Sequence, residues 1–535
     1  MATGAMAKII TAAIRGLDTE IVTVETDLTV GVPKFQLVGL PGGAVREARD
    51  RVEAAIVNSG YDFPLRRITV NLSPADSRKE GSHFDLPIAV GVLAAAARGA
   101  ADGRLLEKTA FLGELSLDGA VRRVELCAAM VLGLQEAGVT QVFLPAGNLA
   151  DVEELPGMSF FPVSQLWEAV AHVLGESPMA PVRGGFGGGD GGGDGADGGG
   201  FSQGAAASSD EFEDFADVKG QEQVKRALLV AVAGRHDICL TGPPGVGKSM
   251  LARRVPGIMP PLSERESREV TRIHNIAGAM GARRGLLTRR PYRAPHHSAT
   301  QVAVVGGGAG HRLIPGEVSL AHRGVLFLDE LPEFDRRTLE MLRQPLEDRY
   351  IDLSRIGAKG RYPCDFLLVC AMNPCPCGYF GDPAHVCTCT ETARQRYAAK
   401  ISGPLLDRID IHVRLSGVKE SDINQDSVSV SCMDSAAMRA LVRKAAEAQE
   451  ARGEGLWNAR LTNRQIEAFC EMETGAETLL KKAYEHYALS VRARNKIVKV
   501  ARTVADLEGA GRIAEAHIAE AIAYRAPERG GHGGF

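Results

Sequence analysis

At 535 residues, 45% hydrophobic and 24% charged, the chain is long enough for roughly three or four domains and apolar enough to give each a core, which excludes a disordered polypeptide. A net charge of −4 excludes a global electrostatic pull toward nucleic acid or acidic membranes, so any DNA contact has to come from local basic patches. The apolar run at residues 88–97 is far below the roughly 18 residues that span a bilayer, residues 1–20 lack a secretory core, and ten cysteines in so long a chain are not a disulfide framework; the expectation is a cytoplasmic protein without a membrane partner.

In chain order, alternating apolar residues at 21–26, 68–72 and 141–144 predict strands, and helical periodicity at 44–59, 86–97 and 127–137 predicts helices between them. This is an α/β domain over residues 1–177. Residues 178–210 read as a linker: from 184 onward glycine, Asp190, Asp194, Asp197, serine and alanine replace any apolar period. About 27 such residues span about 28 Å as a Gly-rich coil, and their acidic character weakens the rival reading of a nucleic-acid-binding tail. Over 211–415 the pattern changes to short apolar strands at 237–241, 325–328 and 366–371, the mark of a parallel sheet buried on both faces between helices. Residues 416–434 form a polar connector, 435–525 are wholly helical in period, and 526–535 are a tail.

The strand at 237–241 feeds GPPGVGKS at 242–249, which fits G-x-x-x-x-G-K-[ST]. Gly242, Pro243, Pro244, Gly245, Val246, Gly247, Lys248, Ser249 and Met250 are the candidate nucleotide-binding residues. The glycines let backbone N–H groups close around phosphates, Lys248 reaches the outer phosphates, and the Ser249 hydroxyl can ligate Mg²⁺. Such a loop alone also marks kinases. VLFLDEL at 325–331 narrows the reading to hydrolysis of ATP or GTP, because Asp329 at a buried strand end can hold the Mg²⁺ shell and Glu330 can polarise the attacking water.

FLLVCAMNP at 366–374 ends its strand on Asn373, placed either to sense the γ-phosphate and attacking water or to cap a turn before Pro374. LLDRID at 405–410 carries Arg408, a surface ion-pair partner in isolation but, in a ring, an arginine that can stabilise transition-state charge at the neighbour's nucleotide. SVRAR at 490–494 opens a helix on which Arg492 can reach back to the phosphates or lie solvated. Cys375, Cys377, Cys387 and Cys389 form C-x-C-x₉-C-x-C; four thiolates so close can close a tetrahedral Zn²⁺ site, with a redox pair or simple reduced thiols as the alternatives. Cys127, Cys239, Cys364 and Cys370 read as packing residues.

Two basic stretches flank the Asp-Glu strand. The first holds Arg283, Arg284, Arg289, Arg290, Arg293, His296 and His297, followed by the glycine-rich stretch 306–310; the second holds Arg349, Arg355, Lys359 and Arg361 in a β-prone segment at 350–362. Such runs are either solvated surface or sequence-independent contacts to a nucleic-acid backbone. The two histidines are also readable as a capped turn or a metal pair, with no carboxylate at ligand spacing.

Longer strings carry a family resemblance: GLPGGAVREARDRVEAA at 39–55, RAPHHSAT at 293–300, PGEVSLAHRGVLFLDELPEF at 315–334 and MNPCPCGYFGDP at 372–383. The chain resembles the ComM/YifB magnesium chelatase-like AAA+ proteins over nearly its whole length, the glycine linker excepted. The resemblance implies ATP with Mg²⁺, a homohexamer, and a helicase acting without sequence preference on single-stranded or branched DNA in natural transformation or branch migration. It further implies sensor 1 for Asn373, a trans-acting arginine finger for Arg408, sensor 2 for Arg492 with Arg494 as second choice, and basic hairpins lining the ring's pore. A chelatase-type motor that remodels a protein partner is the rival reading.

KEGSHFDL at 79–86, GEL at 113–115 and the strand ending FLP at 143–145 resemble the Lon-type peptidase fold, a ribosomal S5-type α/β arrangement. Active members pair a nucleophilic serine with a lysine. In this chain His83 falls at the serine position and Ala128 at the lysine position, so the resemblance implies a catalytically inactive domain and disfavours an ATP-dependent protease; Ser82 with Lys79 is a weak alternative pair.

Overall fold

The computed structural model describes residues 5–97, 103–152, 155–184, 213–281, 285–308, 313–355, 358–417, 433–453 and 455–525. Most of the expected linker and connector, the tail, Arg283, Arg284, Ala309, Gly310 and the Arg355 side chain lie outside the described residues. Residues 1–207 with 267–287 form one compact unit, and 208–266 with 288–535 form the other. Among the described residues no helix is long and apolar enough to cross a membrane.

The first unit is α/β. Its mixed sheet contains β1 (Ala5–Arg15), β2 (Asp18–Thr29), β3 (Lys34–Val38), β4 (Arg67–Ser73), β5 (Thr109–Phe111), β6 (Gln141–Pro145), β7 (Ser159–Val163) and β8 (Val182–Arg183), in the order β8-β7-β6-β5-β1-β2-β4-β3. The alternation read from residues 21–26 appears in β2, where Val22, Val24 and Thr26 are buried while their neighbours face partly outward. Helices Asp85–Ala96 and Cys127–Glu136 pack on the sheet and Gly43–Asn58 packs against Asp85–Ala96, which is buried along nearly its whole length, as its lack of polar spacing requires. Residues 267–287 complete this unit: Asn275 Oδ1 accepts from the Ala129 N–H (3.2 Å), and Arg272 pairs with Glu136 (2.5 Å).

The second unit is built on a five-stranded sheet of β9 (Ile238–Thr241), β10 (Tyr292–Arg293), β11 (Val325–Leu328), β12 (Leu367–Met372) and β13 (Ile411–Arg414). The order is β10-β11-β12-β9-β13 and every pair is parallel. The strands are four to six residues long apart from β10, and the side chains of β11 and β12 are almost wholly buried, which is why they read as apolar runs rather than alternations. Helices Glu222–Gly234 and Lys248–Ile258 cover the sheet, and helices Ser435–Glu450, Asn463–Phe469, Thr474–His486, Val491–Glu508 and Glu515–Ala523 follow it in the chain. These last helices share one apolar cluster with the sheet, from Ile238 and Val369 to Val442, Ile497 and Val504. An antiparallel hairpin, Tyr350–Arg355 with Ala358–Pro363, replaces the β-prone basic segment.

Buried charges tie helix Val491–Glu508 to the sheet. Asp410 lies 2.7 Å from Lys496 and 3.0 Å from His236 Nδ1, while the other His236 nitrogen lies 2.8 Å from Thr503 Oγ1. Burial alone would raise the Asp410 pKa, but Lys496 and His236 outweigh it and hold the carboxyl well below the ordinary range. A depressed carboxyl contributes stability that is present above its unfolded pKa, near 4, and lost as pH falls below it. Asp410→Asn is therefore expected to cost about 3–5 kcal/mol at neutral pH by leaving the buried Lys496 ammonium unbalanced, and to flatten the loss of stability below about pH 4. Urea unfolding followed by the Trp457 fluorescence of a Trp167→Phe background checks both.

Candidate active site

Sheet register gathers the nucleotide motifs at one edge. Thr241 of β9 pairs with Met372 of β12, and Leu328 of β11 pairs with Cys370, so Gly242, Asp329 and Asn373 all emerge from the carboxyl ends of adjacent parallel strands. Open α/β sheets place ligands there. The loop at 242–247 leads into helix Lys248–Ile258, whose N-terminal N–H groups make that end suited to an anion. Gly245 and Gly247 take φ of +81° and +90°, conformations that side-chain-bearing residues seldom adopt.

Lys248 Nζ donates to Gly242 O (2.6 Å), Pro243 O (2.8 Å) and Asn373 Oδ1 (2.9 Å). Burial lowers its pKa, against the nearby charges of Asp329 and Glu330, which raise it. The Ser249 hydroxyl donates to Asp329 Oδ2 at 2.6 Å. Two hard oxygen donors side by side beneath a phosphate-binding loop fit Mg²⁺ held with a nucleotide. Glu330 is exposed and left-handed at φ +50°, a strain of order 1–3 kcal/mol for a residue with a side chain, of the kind that gathers at functional sites. Its Oε2 lies 3.2 Å from His297 Nδ1, and His297 packs on His296 at 4.1 Å between ring centroids. The His297 carboxylate partner is 33 positions away in sequence, beyond any ligand-spacing argument.

Beside Glu330 and Asn373 lies a cleft of about 530 Å³, also lined by Glu333, Pro376, Arg396, Tyr397 and Lys400. Arg408 and Arg492 are placed elsewhere in this unit, together on Glu347: Arg408 at 2.8 Å, Arg492 on the same oxygen, with Asp407 3.9 Å from Arg492. Arg408 also donates to Pro404 O at 2.6 Å. The structure thus joins Asn373 to Lys248 directly and joins Arg492 to Arg408 instead of to the loop at 242–249. Glu347, which holds both arginines, carried no motif in the sequence.

The Sγ atoms of Cys375, Cys377, Cys387 and Cys389 all lie within 4.8 Å of one another, with Cys375–Cys377 at 3.3 Å, Cys377–Cys387 at 3.6 Å and Cys375–Cys387 at 3.7 Å. Tetrahedral Zn–S bonds of about 2.3 Å set sulfurs about 3.8 Å apart, so the four thiols fit such an ion. Cys127, Cys239, Cys364 and Cys370 are buried, as packing residues are.

The basic stretches are corrected in part. Arg290 is buried against the carbonyls of Pro261 and Arg323 and against Glu266; Arg293 is held by Glu317 (2.5 and 2.7 Å); and Arg349 turns inward to Phe366 O (3.1 Å) and Asp237 (3.4 Å). Desolvating the Arg290 and Arg349 guanidiniums requires internal partners, which removes those two from a DNA-facing surface, while Arg293 stays about a third exposed (32%) beside Glu317. Lys359 is exposed on the hairpin, and Arg361 beside it pairs with Asp352 (2.8 Å) and stacks on Tyr350.

In the first unit, His83 occupies the expected nucleophile position with Nε2 2.8 Å from Ala12 O, and Ala128 is buried. The alternative pair of Ser82 with Lys79 is not formed: Lys79 Nζ donates to Ser77 Oγ (2.6 Å) and Ser77 O (3.1 Å), while Ser82 bonds to Glu114.

A P-loop edge, an Asp-Glu strand end and this strand order define a nucleotide-binding AAA+ core. The family model of magnesium chelatase, subunit ChlI, matches residues 214–423, a second model of subunit ChlI of Mg-chelatase matches 24–148, and the ChlI C-terminal model matches 432–525. The chain is 40% identical over 523 residues to the uncharacterized protein YifB of Salmonella typhimurium and 39% over 519 residues to YifB of Escherichia coli, in each case over 97% of both chains. It is 37% identical over 528 residues to the competence protein ComM of Haemophilus influenzae, again over 97% of both. A stretch of 169 residues, 29% of this chain, is 29% identical to Lon protease of Chloroflexus aurantiacus and covers 20% of that enzyme. The chain belongs to the magnesium chelatase-like AAA+ ATPase family that contains YifB and ComM.

Proposed function

We propose that the protein is an ATP-hydrolysing motor that works as a homohexamer on single-stranded or branched DNA, as a helicase in recombination or natural transformation. The observation that carries the ring reading is the partner of Arg408: the arginine of the expected finger motif is held by Glu347 at 2.8 Å in its own subunit. Its side chain is only 9% exposed, so it reaches a neighbouring subunit's nucleotide by exchanging Glu347 for the phosphates. Within one site Gly242, Pro243, Pro244, Gly245, Val246, Gly247 and Met250 wrap the nucleotide, Lys248 binds its outer phosphates, and Asn373 orients the γ-phosphate through its link to Lys248. Ser249 and Asp329 would hold Mg²⁺, which when bound neutralises charge on the phosphate oxygens. Glu330 accepts the proton of the attacking water. Arg492, sharing Glu347 with Arg408, is assigned to the same sensing of nucleotide state. The four thiols at 375–389 are read as a Zn²⁺ site.

The DNA reading is supported by the hairpin at 350–363, with Lys359 and Arg361, and by the likeness to a competence protein. A chelatase-type motor acting on a protein partner is the second reading, favoured by the ChlI match over 214–423. A Lon-like protease is disfavoured by His83 and Ala128 at the dyad positions.

DNA-stimulated turnover with strand displacement on a forked substrate tests the proposal; hexamers that hydrolyse ATP but respond to no DNA sink it. Lys359→Glu with Arg361→Glu is expected to lower the ratio of DNA-stimulated to basal turnover and to shallow the salt dependence of DNA binding by about two phosphate contacts. An unchanged salt slope takes the hairpin off the DNA path.

A further inference from the structure

Resting on the Zn²⁺ reading of the four thiols, we infer that the metal-loaded turn at residues 375–390 braces the nucleotide pocket, so that metal occupancy sets how well this protein binds and hydrolyses ATP.

The turn has almost no buried core, and its other contacts include Arg414 and Arg394 on Phe380 and His385 with Asp382 and Tyr379. Between 375 and 390 only Cys375 and Gly378 are buried, while Phe380 and Val386 are 39% and 89% exposed. A segment without an apolar core needs a crosslink to hold one conformation, and metal ligation supplies that where thiolates converge. The Cys377 N–H donates to Cys389 Sγ at 3.4 Å, closing the two halves of the turn onto each other through a sulfur.

The turn touches the nucleotide loop directly at Gly378 and adjoins it through Asn373 and Arg414. Cys375 follows Asn373 by two residues, and Asn373 Oδ1 accepts from Lys248 Nζ at 2.9 Å. Gly378, at φ +87°, lies so close to the loop that a Cβ there would stand 2.6 Å from Cδ of Pro244. Arg414, at the end of the strand beside β9, donates to Phe380 O at 2.9 Å, and Arg394 stacks on the Phe380 ring at 4.2 Å. Pro376 lines the cleft with Asn373 and Glu330. Four sulfurs drawn onto one ion therefore fix the wall against which Pro244 rests and the backbone from which Asn373 projects. When the ion leaves, the turn gains conformations, and the phosphate loop and Asn373 lose their support. Displacements of about 1 Å at such a site cost roughly 100-fold in rate.

The test uses the full-length protein purified under reducing conditions. Elemental analysis is expected to find about one Zn²⁺ per chain, falling in Cys387→Ser/Cys389→Ser. Stripping the ion with a zinc-selective chelator while Mg²⁺ is kept in excess is expected to weaken binding of a fluorescent ATP analogue about tenfold and turnover roughly 10- to 100-fold. Far-UV circular dichroism stays unchanged, and Zn²⁺ but not further Mg²⁺ restores both activities. Zinc that is present, removed and without effect on nucleotide binding or turnover overturns the brace and leaves the Zn²⁺ reading standing. A protein isolated without zinc, or with the thiols joined as disulfides by mass, overturns both. Collapse of the far-UV spectrum on metal removal makes the ion a requirement of the whole fold and overturns the local brace.

Discussion

Glu330→Gln is expected to keep ATP binding and lose roughly 10²- to 10⁴-fold in turnover, the contribution of a positioned general base. The carboxylate sits at the end of β11, in a strained left-handed conformation, beside the cleft it shares with Asn373. Glutamine preserves size and hydrogen bonding but cannot take the proton of the attacking water. Equilibrium binding of a fluorescent ATP analogue alongside phosphate release separates the two effects. Near-normal turnover with intact binding would remove Glu330 from the chemistry and turn attention to Asp329 or a bound water. The same variant alters the 3.2 Å contact with His297 Nδ1, so His297→Ala in the native background is the control for any change that comes from that contact alone.

Arg408→Ala is expected to lower turnover by about 10³- to 10⁵-fold, the range for arginines that stabilise phosphoryl-transfer charge, while each subunit still binds ATP. The decisive arm is mixing. Arg408→Ala chains keep Glu330, and Glu330→Gln chains keep Arg408, so a mixed ring contains interfaces with both groups intact. Recovery of activity after subunit exchange supports action in trans; exchange demonstrated by mass with no recovery sinks it. Because Glu347 holds both Arg408 and Arg492, Glu347→Gln probes what keeps the two arginines together, and its effect on turnover is expected to be smaller than that of removing Arg408.

Much of the fold was legible because its signals are local. Apolar runs at 237–241, 325–328 and 366–371 became β9, β11 and β12, and glycine spacing marked the loop between β9 and its helix. The burial of particular arginines within the basic patches was not legible, for the opposite reason. Arg290, Arg293 and Arg349 look like their exposed neighbours in sequence, yet each meets a carboxylate or carbonyl contributed from elsewhere in the chain: Glu266, Glu317 and Asp237. The spacing of a charge run says nothing about which of its members will be desolvated.

By itself, the sequence determined the chemistry available: a phosphate loop at 242–249, paired carboxylates at 329 and 330, four clustered thiols and the α/β alternation that carries them. These depend on neighbours a few residues apart, where backbone geometry alone decides what can meet. Only the tertiary structure decided the partners: Asn373 on Lys248, His297 on Glu330, Arg408 with Arg492 on Glu347, and Gly378 against Pro244. Those contacts join residues 33 to 145 positions apart, or 134 in the case of glycine and proline, and they follow from strand order and register, which local sequence preference does not encode.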